Sequence, residues 1–346
     1  LRFAVVFLAL LACAWIPRAA AADDTLNLAG ALPGGIEVIE NVALHAGLYA
    51  AEHLNVTKEY AGSASACAQV VASGKADVCS MSIEPTILGY DKGLRLQTFF
   101  SRVHEYDYVL AVLDDSPIRT LADFKGKDIG EPNAGATTEV AAGDMLAGAG
   151  LKKSDYSFVP IGIGGQLMAA LQSKKVAGSA SSSVEIGTLS ALLHVKFRIF
   201  RDPILDSIPN VGYAARPDVI QSKGDILRRF ARALVKASLL IRENPQVAAR
   251  YALMGENIRT DLTAEAIRTE TATLNALQND LAGADPANPR IGYLPPNGVA
   301  LYCKFFYDAG LTSTLVPASA IVTNQFIPFA NDFDKKAWIA EVRRMQ

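Results

Sequence analysis

Histidine and cysteine are scarce in this sequence, four of each in 346 residues, and neither forms a motif. His45, His53, His104 and His194 make no HExxH and no close Cys/His spacing, so a metal centre is not expected. There is no Gly-x-Ser-x-Gly elbow. Gly162-Ile163-Gly164-Gly165 has too few positions for a dinucleotide fingerprint and reads as a turn feeding a helix. An enzyme is therefore not expected, and no cofactor is called for. Lys and Arg are scattered, no basic run exceeds a few residues, and the net charge is −2, which sets nucleic acid aside as a partner.

Half of the residues are hydrophobic, enough for a large core, and the length suits about two domains. Arg2 precedes an apolar run over residues 3–16, then come Pro17, Arg18 and the small-residue stretch 19–22 before Asp23-Asp24. A charged start, a short apolar run and an Ala-x-Ala-like end form a secretory signal peptide, expected to be residues 1–22. The run falls short of the roughly 20 apolar residues that a membrane anchor needs. Leu10-Leu11-Ala12-Cys13 also resembles a lipoprotein cleavage box that would lipidate Cys13, although Trp15 and Arg18 just after it fit that poorly. Removal of the leader leaves Cys67, Cys79 and Cys303, an odd number without a Cys-x-x-Cys. Cys67 in an Ala-rich helix and Cys79 in an apolar strand read as small buried hydrophobes, expected to be unpaired.

After the leader, strands alternate with helices. Residues 25–32 alternate as a first strand, Pro33-Gly34-Gly35 breaks it, and residues 36–54 carry apolar side chains at helical spacing. Further strand and helix pairs follow, with strands at "NVTKEYA", "ADVCSMS" and "LRLQTFFSR". After the apolar segment at residues 106–117 the rhythm begins again, through "KGKDIG", "YSFVPI" and "VAGSASS". Two βαβ sets around mostly parallel sheets are predicted, an α/β fold. From Ser222 onward the chain reads as successive helices, with Leu227, Phe230, Leu234 and Leu240 predicted to pack.

The succession "AGSASACAQVVASGKADV", "SPIRTLADFKGKDIG", "GAGLKKSDYSFVPIG" and "AALQSKKVAG" resembles the periplasmic solute-binding proteins of ABC importers. The subgroup it is similar to, the NMT1/THI5-like type, handles nitrate, alkanesulfonates, taurine and thiamine-precursor pyrimidines. The turn Ser73-Gly74-Lys75-Ala76-Asp77 and the block from Ser116-Pro117-Ile118 to Lys125-Gly126-Lys127 carry the likeness best, which covers residues 26–193. It departs at Lys174-Lys175-Val176-Ala177-Gly178, where the usual Gly-x-Val-Asp turn has lost its Gly and Asp.

The resemblance implies a two-lobed periplasmic binding protein of type II, each lobe a mostly parallel sheet flanked by helices, joined by two crossing strands. Its expected layout is residues 23–108 for the first part of lobe 1, 109–212 for lobe 2, and 213–346 for the rest of lobe 1 with the C-terminal helices. It further implies a monomer in the periplasm that closes on a small solute and presents it to an inner-membrane ABC permease. Other readings are a pyrimidine-precursor synthesising enzyme of the same fold, whose Cys-rich motif is missing here, and the ligand-sensing domain of a signalling protein, although the sequence shows no further module.

In such sheets ligands bind beyond the carboxyl ends of the strands, where helix N-termini offer N–H groups to an anion. Ser63 and Ser65 before one helix, and Gly135, Thr137 and Thr138 before another, supply one such place per lobe. Ordinary N-capping explains each equally well. A second pair of places is "SMSIEP" with Ser82 and Glu84, and "SSSVEI" with Ser182 and Glu185. A glutamate there suits an amine or amidine and repels an anion, or it simply complements the helix dipole. Gly35, Glu37 and Asn41 follow the first strand, and Tyr106, Tyr108 and Tyr213 lie on or beside the crossing segments as aromatic walls or hinge packing. Arg102 and His104 can counter an anion or stand as rim charges. A small anion (sulfonate, carboxylate or nitrate-like) is slightly favoured as ligand, with an amino-bearing heterocycle close behind.

Overall fold

The computed structural model describes residues 23–31, 38–103, 108–134, 137–201, 208–254, 262–281, 289–308 and 310–346. The chain begins with β1 (Asp24–Gly30), α1 (Val38–His45), α2 (Leu48–Ala51), β2 (Leu54–Tyr60), α3 (Ala64–Ala72), β3 (Val78–Ser82), α4 (Glu84–Tyr90) and β4 (Gln97–Val103). It continues with β5 (Tyr108–Leu113), β6 (Lys127–Glu131), α5 (Thr137–Gly148), β7 (Tyr156–Pro160), α6 (Gly165–Gln172), β8 (Gly178–Ser182), α7 (Ser183–Leu193) and β9 (Phe197–Phe200). After β10 (Val211–Ala215) the elements are helical: α8 (Pro217–Ser222), α9 (Gly224–Glu243), α10 (Pro245–Met254), α11 (Ala264–Leu281), α12 (Pro296–Asp308), α13 (Ala318–Ile321), α14 (Ile327–Ala330) and α15 (Lys335–Val342).

The strands form two five-stranded sheets of the same plan, ordered β2-β1-β3-β10-β4 in lobe 1 and β7-β6-β8-β5-β9 in lobe 2. In the first, β1 runs parallel to β2 and β3, and β10 is antiparallel to β3 and β4. In the second, β6 runs parallel to β7 and β8, and β5 is antiparallel to β8 and β9. Each sheet is thus mixed, with four strands in one direction and one reversed. The reversed strand is the one on which the chain arrives from the other lobe, β5 after β4 and β10 after β9.

That exchange sets the strand ends face to face. Tyr108, the first residue of β5, pairs with Ser182 at the end of β8, and Val211, the first of β10, pairs with Ser82 at the end of β3. Val103 and Tyr108 are five residues apart, a reach of at most about 17 Å, so the carboxyl ends of the two sheets adjoin. The lobes also touch: Ala141 of α5 shares an apolar cluster with Ile83 and Ile87 of lobe 1, and Val184 of α7 packs against the lobe 1 core.

The largest core lies between the lobe 1 sheet and α1, α9 and α10, and Leu227, Phe230, Leu234 and Leu240 are all fully buried in it, as their spacing predicts. Lobe 2 has its own core of Leu110, Ile129, Phe124, Ala142 and Leu146 under α5. One expectation is corrected. Cys67 of α3 and Cys79 of β3 form a disulfide, their Cα atoms 5.9 Å apart, whereas Cys303 is free and buried. Packing of α3 onto β3 brings together two cysteines whose separation in sequence gives no sign of it.

Candidate functional site

The two β3-type strands end in helices, as the sequence predicts, and the corners are built differently. In lobe 1, Ser82 is half-buried and Glu84, the first residue of α4, is 4% exposed. The corner is held through the backbone: Ile83 N–H donates to the carbonyl of Asn210 at 2.8 Å, and Asn210 is fully buried just before β10. In lobe 2, the Ser182 side chain caps α7 by accepting from the Glu185 N–H at 3.1 Å. The Glu185 carboxylate is half-buried and accepts from the Gly164 N–H at 2.6 Å. Gly164 has φ +62° and ψ −129°, a conformation essentially confined to glycine, and it opens α6. Glu185 therefore pins the α6 turn to the start of α7.

The helix N-termini are also unequal. Ser63 and Ser65 are exposed, and Ser63 caps α3 by accepting from Ala66 N–H at 3.1 Å. Thr137 begins α5, and Thr138 beside it is 6% exposed with no hydrogen-bond partner for its Oγ1. Beneath that first turn lies Glu131, the last residue of β6, 3% exposed. Its side chain shares the strand face of Ile129, which packs on Ala142 of α5. Burial first, and the neighbouring Glu139 carboxylate second, push the Glu131 carboxyl up to about 6.

Tyr213 sits in the lobe 1 core, edge-on to Phe100 at 5.8 Å and Phe230 at 5.4 Å. Around it gather Glu40, Tyr49, Ser80 and Arg102, all buried. Burial opposes ionisation of Glu40, but Lys58, Arg102 and the Ser80 hydroxyl outweigh it and hold the carboxyl below its usual range. Burial together with the Glu40 charge drives the phenols of Tyr49 and Tyr213 well above theirs. Arg102 is 1% exposed, and its guanidinium makes no hydrogen bond among the described residues. Asn41 is buried in α1. Gly35, Glu37, His104, Tyr106 and Gly135 lie outside the described residues. Among the described residues no group of three or more His, Cys, Asp or Glu side chains is set to hold a metal, and no helix is long and apolar enough to cross a membrane.

The NMT1/THI5-like family matches residues 39–248, more than half of the sequence. The chain belongs to the NMT1/THI5-like family. No curated protein matches the sequence. Among solved structures this family member is similar to the periplasmic aliphatic sulphonate-binding protein SsuA of Escherichia coli, with a TM-score of 0.66 and 16% identity over 87% of this chain and 92% of that one. SsuA of Xanthomonas axonopodis pv. citri, an alkanesulfonate-binding protein solved with MOPS, gives 0.61 and 15% over 88% and 99%. A mutant of DszB in complex with biphenyl-2-sulfinic acid gives 0.58 and 17% over 89% and 98%. At these identities the likeness establishes the two-lobed fold, and it spans nearly the whole of each neighbour.

Sequence reasoning about this NMT1/THI5-like chain missed Glu131 with its partner Glu139, the burial of Glu40, and Asn210. Glu131 did leave a signal. In "KDIGE" an acid occupies the position after Ile129 and Gly130 where an inward strand residue is ordinarily apolar.

Proposed function

We propose that the protein is an extracytoplasmic receptor that captures a small organic solute between its lobes and delivers it to the permease of an ABC importer. The single observation that carries this is the exchange of reversed strands, which sets two matching rows of strand ends and helix starts against each other. A ligand that touches both rows favours the closed arrangement; one bound equally well to open and closed forms would move nothing. Export to the periplasm is supported by the signal-like leader and by the Cys67–Cys79 disulfide, which suits an oxidising compartment. The receptor works as a monomer and performs no chemistry on its solute.

For the ligand, the likeness to sulfonate-binding proteins and the helix N-termini support an organic acid of the sulfonate or carboxylate class. An amino-bearing pyrimidine is the second reading, favoured by the buried Glu84 at the β3 corner. Thermal-shift titration of the purified chain with alkanesulfonates, carboxylates, nitrate and aminopyrimidines separates the two. An increase in melting temperature with the acids supports the first, and an increase with a pyrimidine alone transfers the assignment to the second. A deletion strain with normal uptake of the ligand so identified would count against the transport role.

A further inference from the structure

A groove of about 550 Å³ runs between α10 and α11, within the size range of small-molecule sites. Gln246 and Arg250 of α10 line one wall, and Ile267, Arg268, Thr271 and Asn275 of α11 line the other. Spacings of three and four residues put each set on one face of its helix. The groove lies apart from the strand ends: beneath it Val247, Ala248, Leu274 and Leu277 tie the two helices to the lobe 1 core.

Its charge is unbalanced. Arg250 is half-buried and Arg268 exposed, and neither guanidinium has an ion pair or hydrogen bond among the described residues. The arginines of the adjoining α9 behave otherwise: Arg228 and Arg229 bind Asp225, Arg232 reaches Glu52, and Arg242 binds Glu243. No carboxylate among the described residues lines the groove, although Glu265 and Glu270 stand on α11. The two arginines also oppose one another. Arg250 is four residues before the end of α10 and Arg268 four after the start of α11. Helices joined end to start and packed side by side run antiparallel, which sets the two cations level across the groove.

Like charges held level repel, and each guanidinium keeps a fork of N–H donors without an acceptor. An anion between them removes both deficits. A carboxylate brings one charge and two oxygens, enough for one fork. A phosphate monoester brings about 1.5–2 negative charges at neutral pH and three terminal oxygens, so it accepts from both forks at once. The Gln246 amide adds a donor, and Ile267 offers an apolar surface to an organic body.

We propose that the α10–α11 groove is a second binding site, separate from the cleft between the lobes, for a phosphate monoester that Arg250 and Arg268 grip from opposite sides. The room beyond the two forks takes a small organic body. Such a group reaches the groove either on a soluble molecule or as the headgroup of a lipid, and experiment separates the two sources. The inference stands apart from the receptor reading, which concerns the cleft.

The test is isothermal titration of the full chain with glycerol 3-phosphate, inorganic phosphate and glycerate at constant ionic strength. Co-sedimentation with phosphatidic acid vesicles, against phosphatidylglycerol vesicles of equal charge, is its second arm. Glycerol 3-phosphate is expected to bind at least about tenfold more tightly than glycerate. The double variant Arg250→Gln, Arg268→Gln should lose at least about tenfold of that affinity, with folding checked by the melting temperature of the free protein, and each single variant should fall between. Retention on phosphatidic acid vesicles alone, lost in the double variant and without binding of the soluble probes, supports the site and assigns the phosphate to a lipid headgroup. Glycerate bound equally tightly through the same arginines, affinity that survives the double variant, or no binding of any probe or vesicle overturns the inference. All of these outcomes leave the receptor reading intact, because the variants do not touch the strand ends.

Discussion

Lobe 1 and lobe 2 share one sheet plan and spend their stabilising interactions in different places. In lobe 1 the turn between α3 and β3 uses Gly74 at φ +81°, and Asp77 accepts from the Asn27 N–H at 3.0 Å and from Lys223 Nζ at 2.8 Å. The matching turn of lobe 2 places Lys174 in the left-handed region at φ +58° and Ala177 where the aspartate would be. Common to both turns are the serine hydroxyls, Ser73 donating to the Val70 carbonyl and Ser173 to the Ala170 carbonyl, and the backbone bonds from Asp77 N–H to the Asn27 carbonyl and from Ala177 N–H to the Asp128 carbonyl. In the register that sets Cys79 against Ser179, Cys67 falls at Leu167, so the disulfide of lobe 1 has no counterpart there, and the Ser63 cap of α3 corresponds to Gly164 before α6. Lobe 1 is thus fastened at its outer turn and between helix and strand. Lobe 2 is fastened at the carboxyl end of β8, by Glu185 on the Gly164 N–H.

The sharpest way to break this contrast is to remove the staple of lobe 1. Replacing Cys67 and Cys79 by serine is expected to cost about 2–4 kcal/mol in chemical denaturation, and reductant should do the same to the parent protein; no effect would mean that the bond adds nothing to lobe 1. Next in size, Gly164→Ala meets no neighbour but forces a side chain into a glycine-only conformation. A loss of about 1–3 kcal/mol is expected, against about 1 kcal/mol for Ser63→Ala at the matching cap.

Glu131→Gln should act in the opposite direction. A carboxyl that titrates near 6 in the folded protein and at its ordinary 4.5 when unfolded holds more protons folded than unfolded between those values. Its penalty is absent in acid, grows as pH rises through that window and is complete above it. The variant should therefore be more stable by about 1–2 kcal/mol near pH 7.5 and no different near pH 4. Smallest of all, Lys174→Gly should stabilise by roughly 0.5–1 kcal/mol through relief of the left-handed conformation, whereas Gly74→Ala should lose a similar amount.

The alternation of strands and helices was legible because buried parallel strands and amphipathic helices such as α9 carry distinct periods. The reversal of β5 and β10 was not, since an inward-facing apolar strand reads alike in either direction. Ser82, Glu84, Ser182 and Glu185 could be placed at strand ends because the following helix start is encoded locally. Their partners could not: Glu185 meets Gly164 from 21 residues away, and Ile83 meets the Asn210 carbonyl across the lobe. Tyr213 shows the same limit, an aromatic beside a crossing segment by sequence and a core ring in the fold, because only the register of β10 against β3 and β4 turns it inward.

The exchanged strands also constrain how the chain assembles as it is made. Sheet 2 is drawn from one continuous stretch, so its five strands are available as soon as β9 has emerged. Sheet 1 is different: β4 does not pair with β3 but with β10, which arrives roughly 100 residues later. Until then β3 presents an open edge through Cys79 and Ser80, the kind of edge that invites wrong pairing. The Cys67–Cys79 bond closes a loop of only 12 residues and needs nothing downstream. It can fix β3 to α3 early and keep the slot for β10 in shape while lobe 2 is being built.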